Sequence, residues 1–256
     1  MNLSPQHVCF DKDGTLIDVH ASWVPITQRR AKKIIQAYRL PESAFDDSCR
    51  VMGVDPQAHK ILPGGPVGYK PRATIIVAVE QWLKDLNVVA TTDELAEIFR
   101  GVDEDIQRLN DFNVAALPGV VDGIKRLKRS GLKISIYTSD RQKNTQHVLA
   151  LLGLSECIDA IVGGDDVCLP KPDPEGFLKA CVLVGIDGSR SIYVGDTVDD
   201  MLMAQRGGFL GGYGITHGLA SRAQLAAESQ KVFDTFSGLV DSLLEQANDK
   251  KTIPSI

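Results

Sequence analysis

No apolar run in the 256-residue chain approaches the length of a membrane-spanning helix, and the first residues lack a basic segment followed by an apolar one. The expectation is therefore a protein without signal peptide or transmembrane anchor. Cysteine is sparse and scattered: Cys9, Cys49, Cys157, Cys168 and Cys181 are odd in number and show no CxxC spacing. This excludes a zinc ribbon or a disulfide framework and suggests reduced thiols in a cytoplasmic protein. There is no basic excess. The net charge of −5 argues against nucleic acid or an anionic membrane as the main partner. No internal repeat or low-complexity segment occurs, and the five histidines have no metal-ligand spacing. A phosphate-binding GxxxxGK[ST] loop is missing. The glycines near 207–214 do not make a dinucleotide fingerprint, because the third glycine after Gly212 and Gly214 would fall on His217. The chain does have an ordinary globular composition, 43% hydrophobic and 24% charged, and room for one large domain or two modest ones.

The most informative stretch is HVCFDKDGTLID, residues 7–18. An apolar run, Val8-Cys9-Phe10, ends abruptly in Asp11-Lys12-Asp13-Gly14-Thr15. Such a run without alternation suits a strand buried on both faces of a parallel sheet. Asp11 and Asp13 then lie at its carboxyl end, where open α/β sheets bind ligands. Adjacent carboxylates repel unless a cation separates them, and their hard oxygens suit Mg²⁺. An EF-hand reading fails: with Gly14 as the loop's sixth residue, its first and twelfth positions are Cys9 and His20.

Residues from about 22 to 114 contain no convincing strand. Helices are expected over 22–40, with a basic face of Arg29, Arg30, Lys32, Lys33 and Arg39 read as solvated or, for Arg29 or Arg30, as meeting a substrate. Two more are expected over 71–86, with Pro71 in the first turn, and from the Thr91–Glu94 capping box to about residue 109. Between the first two lies a Pro- and Gly-rich loop, 59–72, carrying His59, Lys60, Tyr69, Lys70 and Arg72. It is either a mobile linker or a specificity loop in which Lys70 or Arg72 grips an acidic group of a substrate. From about residue 117 strands and helices alternate, implying a doubly wound parallel sheet. The expected fold class is α/β: a Rossmann-like core of residues 1–19 and 115–256, interrupted by an all-helical cap domain over 20–114.

Polar residues recur at the expected strand ends: Asp11 and Asp13, then Thr138 and Ser139, then Asp196, Asp199 and Asp200, with Lys171 from a loop. Along one sheet edge they supply carboxylates, a hydroxyl and an ammonium, an inventory suited to phosphoryl transfer.

These residues resemble the motifs of the haloacid dehalogenase superfamily, and in particular its phosphoglycolate phosphatase-like members with a helical cap. The matches are Asp11-Lys12-Asp13-Gly14-Thr15, Thr138 closing KISIYT, Lys171 in LPKPDP, and Gly195-Asp196-Thr197-Val198-Asp199-Asp200; Leu117-Pro118-Gly119-Val120 also resembles the family. The resemblance implies a Mg²⁺-dependent phosphatase acting on a small phosphorylated metabolite, phosphoglycolate-like or a sugar phosphate. It implies Asp11 as the nucleophile forming an aspartyl-phosphate and Asp13 as general acid and then base. Thr138 and Ser139 would bind phosphate, Lys171 would neutralise charge, and Mg²⁺ would be held by Asp11, the Asp13 carbonyl, Asp196 and Asp200. Asp199 is either part of this set or a helix cap. The alternatives are a phosphomutase of the β-phosphoglucomutase type, using the same aspartates, and a non-enzymatic binding protein on the same fold.

Overall fold

The computed structural model of the protein describes residues 4–68, 70–109 and 114–248. It divides into two compact units, Met1–Asp18 with Ala116–Ile256, and Val19–Ala115.

The first unit holds a six-stranded parallel sheet. In chain order the strands of the protein are β1 (His7–Phe10), β2 (Val54–Asp55), β3 (Lys60–Ile61), β4 (Lys133–Tyr137), β5 (Ala160–Val162), β6 (Ser191–Gly195), β7 (Gly211–Ile215) and β8 (Lys231–Phe233). The sheet order is β5-β4-β1-β6-β7-β8. After β1 the chain builds outward on one side through β4 and β5, then crosses to the other side for β6, β7 and β8. The loops leaving β4 and β6 therefore diverge on either side of β1, and that divergence opens a crevice at the carboxyl ends of the strands.

The helices are α1 (Val19–Ala37), α2 (Phe45–Val51), α3 (Arg72–Asp85), α4 (Thr92–Leu109), α5 (Val120–Arg129), α6 (Gln142–Leu151), α7 (Glu175–Val184), α8 (Val198–Arg206), α9 (Arg222–Glu228) and α10 (Phe236–Asn248). On one face of the sheet Cys9, Tyr137 and Tyr193 pack with Phe177, Ala180 and Cys181 of α7 and with Met203 and Ala204 of α8. On the other, Phe10 meets Phe236 of α10, which packs on α5. Val8, Cys9 and Phe10 are all fully buried, as the uninterrupted apolar run requires. The glycines of β7 have a packing role: a β-carbon on Gly212 would crowd Ala204 of α8, and one on Gly214 would crowd Leu225 of α9.

His7, at the head of β1, is fully buried between serines of the two neighbouring strands. Its Nδ1 lies 2.9 Å from Ser191 Oγ and its Nε2 2.7 Å from Ser135 Oγ. The Ser191 hydroxyl donates to the Asp187 carbonyl at 3.0 Å, so Nδ1 is the donor toward Ser191 and Nε2 accepts from Ser135. Burial pushes the His7 pKa down from 6.5 to about 4. As the pH falls through this window the unfolded chain takes up a proton that the folded chain refuses, so stability is lost on acidification. The expected loss is about 2 to 3 kcal/mol between pH 7 and pH 4.5. Urea unfolding of the protein and of His7→Gln at the two pH values isolates it, because the buried carboxylates are common to both. An equal pH response of the two proteins would refute it.

The second unit contains α1 to α4. The Thr91–Glu94 capping box forms: Glu94 N–H donates to Thr91 Oγ1 at 3.2 Å and Thr91 N–H to the Glu94 carboxylate at 2.9 Å. The expectation of an all-helical insert is corrected, since β2 and β3 pair antiparallel, Val54 opposite Ile61 and Asp55 opposite Lys60. Two residues per strand are too few for an alternating pattern to register in sequence. The turn between them forms because the Asp55 carboxylate accepts the N–H groups of Gln57 and Ala58 at 2.9 and 3.1 Å.

The solvated basic face of α1 is corrected at one position. Arg30 is 1% exposed, pairs with Asp103 Oδ1 at 3.0 Å and stacks over Phe99 at 4.5 Å. The partner stands on α4, far away in the sequence, and a planar guanidinium can be buried against an aromatic face. Among the described residues no helix is long and apolar enough to cross a membrane, and all five cysteines are free.

Candidate active site

β1 delivers Asp11 directly into the crevice. Its N–H donates to the Val194 carbonyl of β6 at 2.8 Å, which extends the strand pairing by one residue and fixes the backbone there. Gly14 then turns the chain with φ +86°, and its N–H closes the turn on the Ile17 carbonyl at 2.9 Å. Any β-carbon at Gly14 would collide with the Asp196 carboxylate. Glycine is thus required twice, for the positive φ and for the close approach.

Asp196 follows β6 and is fully buried. Its Oδ2 accepts the Leu219 N–H at 2.9 Å and its Oδ1 accepts the Thr15 hydroxyl at 3.3 Å. Asp200 is set by local helix chemistry. Thr197 is the N-cap of α8, and Asp200 Oδ2 returns to accept the Thr197 N–H at 3.0 Å and its hydroxyl at 2.6 Å. Its Oδ1 is left for Lys171, whose Nζ donates to it at 2.8 Å and to Asp11 Oδ1 at 2.6 Å. The Lys171 ammonium also lies 5.1 Å from the Tyr137 ring centre and 5.2 Å from that of Tyr193.

The electrostatics of this cluster are unbalanced. Asp11, Asp196 and Asp200 bring one carboxylate oxygen each to within 4.8 Å of one another, all three buried. With Lys171 as the paired ammonium, three negative charges against one positive leave an excess of two. Burial pushes the Asp11 carboxyl up to about 7; Lys171 pulls it down, and the charge of Asp200 adds to the rise. Burial, followed by the charges of Asp11 and Asp200, drives Asp196 well above the usual carboxylate range. Burial alone would lower the Lys171 pKa, but Asp11 and Asp200 outweigh it and raise it. A set of hard oxygen donors with two uncompensated charges fits a divalent cation, which would reverse the upward shifts.

The other expected residues are placed as follows. Thr138 leaves β4 beside this cluster, 2% exposed, with its N–H on the Val162 carbonyl at 3.1 Å and its hydroxyl accepting the Asp140 N–H at 3.2 Å. Ser139, next to it, is exposed. Asp13 is ion-paired with Lys12, 2.8 Å from Oδ2 to Nζ. Asp199 is exposed in the first turn of α8. The cap role considered for it is corrected, because Thr197 is the N-cap and Asp200 completes the box. Lys70 and Arg72 belong to the second unit: Lys70 is exposed, and Arg72 pairs with Asp103, the residue that also holds Arg30. Tyr69 lies outside the described residues. Sequence reasoning assigned nothing to Lys12 or Asp140, whose side chains meet at 3.0 Å; a lysine between two motif aspartates was the available signal.

The profile of the haloacid dehalogenase-like hydrolases matches residues 5–208. This chain belongs to that family. It is therefore an enzyme, a hydrolase, and the cluster described above is its candidate active centre. Over 234 residues it is 32% identical to the "Probable phosphatase IndB" of Dickeya dadantii, covering 91% of each chain. It is 27% identical to a phosphoglycolate phosphatase of Agrobacterium fabrum, covering 97% of this chain and 96% of the other. Among solved structures it is similar to a hydrolase from Pseudomonas syringae, with a TM-score of 0.61 and 26% identity over 94% of this chain and 98% of that one. It also shares its fold with a "predicted phosphoglycolate phosphatase" from Haemophilus somnus 129pt, with a TM-score of 0.71 and 20% identity over 93% and 97% of the two chains.

Proposed function

We propose that this hydrolase is a Mg²⁺-dependent phosphatase that hydrolyses a small phosphorylated metabolite, phosphoglycolate-like or a sugar phosphate, through an aspartyl-phosphate on Asp11. The observation that carries this reading is the Asp11–Lys171–Asp200 arrangement. A carboxylate at a strand end, with its oxygen 2.6 Å from a buried ammonium, is held ready to attack an anionic centre. The phosphatase names of full-length relatives support the reading.

In the first half-reaction an Asp11 oxygen bonds to phosphorus, the ester P–O bond breaks, and the Asp13 carboxyl gives its proton to the leaving alcohol. In the second, water bonds to phosphorus, Asp13 takes its proton, and the Asp11–phosphorus bond breaks to release phosphate. Lys171 and the Thr138 hydroxyl would hold phosphoryl oxygens, with Ser139 beside them. Asp11, Asp196, Asp200 and the Asp13 carbonyl would hold Mg²⁺, which when bound supplies charge neutralisation of the phosphoryl group. Lys70 and Arg72 are proposed contacts to an acidic leaving portion, which for Arg72 requires exchange of its Asp103 partner. The cap is proposed as residues 20–114, and a cytoplasmic location agrees with five free cysteines.

Phosphate release from a panel of phosphorylated metabolites with Mg²⁺ tests the reaction class. Turnover of at least one ester with stoichiometric free phosphate is expected. Isomerisation of a sugar 1-phosphate without net phosphate release would instead make the enzyme a mutase.

A further inference from the structure

Lys12, which stands in the sequence between the two aspartates of the first motif, has no role in the mechanism above, yet it is a charged side chain with 3% exposure. Burying an ammonium is costly unless carboxylates repay it. Here two do: Nζ lies 2.8 Å from Asp13 Oδ2 and 3.0 Å from Asp140 Oδ2. Asp140 is itself immobilised. Its Oδ1 accepts the Arg141 N–H at 2.7 Å and the Asn144 amide at 3.1 Å. Its carbonyl accepts the Gly164 N–H at 2.8 Å, and its own N–H donates to the Thr138 hydroxyl at 3.2 Å. Lys12 therefore ties the loop after β1 to a loop after β4 that is braced from several sides.

We propose that Lys12 is a positioning residue that, anchored by Asp140, holds the Asp13 carboxyl in place for proton transfer to the leaving oxygen. This rests on the phosphatase reading of Asp13. In the step concerned the Asp11–phosphorus bond forms, the ester P–O bond breaks, and the proton moves from Asp13 to the leaving oxygen. A p-nitrophenolate departs as a stable anion and has little need of that proton, whereas phenolate depends on it. Losing the position of Asp13 therefore penalises phenyl phosphate and largely spares p-nitrophenyl phosphate. A general loss of structure would penalise both alike.

The test is kcat/KM, which reports transfer to Asp11 rather than later hydrolysis, for the two esters with Mg²⁺. The proteins compared are the wild type, Lys12→Met, Lys12→Arg and Asp140→Asn. Lys12→Met is expected to lose at least about tenfold more on phenyl phosphate than on p-nitrophenyl phosphate, as removal of general acid catalysis would. Lys12→Arg, which keeps the ion pairs, is expected to recover most of the difference. Asp140→Asn, at a side chain with 19% exposure, is expected to shift the ratio the same way by a smaller factor, and it decides the matter if Lys12→Met fails to fold. An unchanged ratio in the folded variants overturns the role of Lys12. Absence of wild-type phosphate release from both aryl esters and from every member of the metabolite panel overturns the phosphatase reading and the role of Lys12 with it, a result distinct from any variant-specific change.

Discussion

Asp11→Asn is expected to lower turnover by at least about 10⁴-fold, because an amide oxygen cannot replace the carboxylate as nucleophile. The same substitution is expected to leave the fold intact. The Asp11 N–H to Val194 carbonyl bond belongs to the backbone, and Lys171 keeps its 2.8 Å partner Asp200. In metal-free protein the melting temperature at neutral pH should be unchanged or higher. Burial raises the folded Asp11 pKa to about 7, so folding at pH 7 and above carries the penalty of a buried charge that the unfolded chain does not have. The asparagine removes that penalty along with the nucleophile, the usual trade between activity and stability at a strained site. Loss of activity with a lowered melting temperature would point instead to a structural role for Asp11.

Removal of divalent cation is expected to have an effect of similar size on turnover and a separate effect on stability. The excess of two negative charges among Asp11, Asp196, Asp200 and Lys171 makes the metal-free site self-repelling. Mg²⁺ should therefore raise the melting temperature in a concentration-dependent way, with about 2.7 kcal/mol of stabilisation at a hundredfold excess over Kd. Asp196→Asn, which keeps an oxygen for Leu219 N–H or Thr15, is expected to abolish this thermal response as well as activity. The thermal shift can be read without any substrate. A wild-type protein whose melting temperature ignores Mg²⁺, and whose turnover survives chelator, would remove the metal from the account.

Much of this site was legible in sequence because Asp11, Thr138 and Asp196 each sit immediately after a strand with an unmistakable pattern. VCF before Asp11, KISIY before Thr138 and SIYV before Gly195-Asp196 are short apolar runs, and a parallel sheet brings their ends to one edge whatever the intervening chain does. What escaped depends on partners that spacing does not reveal. Lys12 reads as an ordinary polar residue until Asp140, from the loop after β4, is brought to 3.0 Å. Arg30 reads as surface until Asp103 and Phe99 close over it. The β2–β3 pair is shorter than any period, and α9 escaped although Ser221 and Gln224 form a capping box at its start. Asp200 illustrates a mixed case. Its place in the metal set was expected from the motif, but its second duty, capping α8 through Thr197, appears only in the structure.

The central claim is that Asp11 carries the phosphoryl group. Acid-quenching the enzyme during steady-state turnover and mapping the modified peptide by mass spectrometry tests it most directly. Phosphate on the peptide containing residues 7–18, located at Asp11 and missing from Asp11→Asn, is the expected result. Rapid phosphate release in which no phosphoenzyme is trapped, or a phosphoryl group on a different residue, would contradict it.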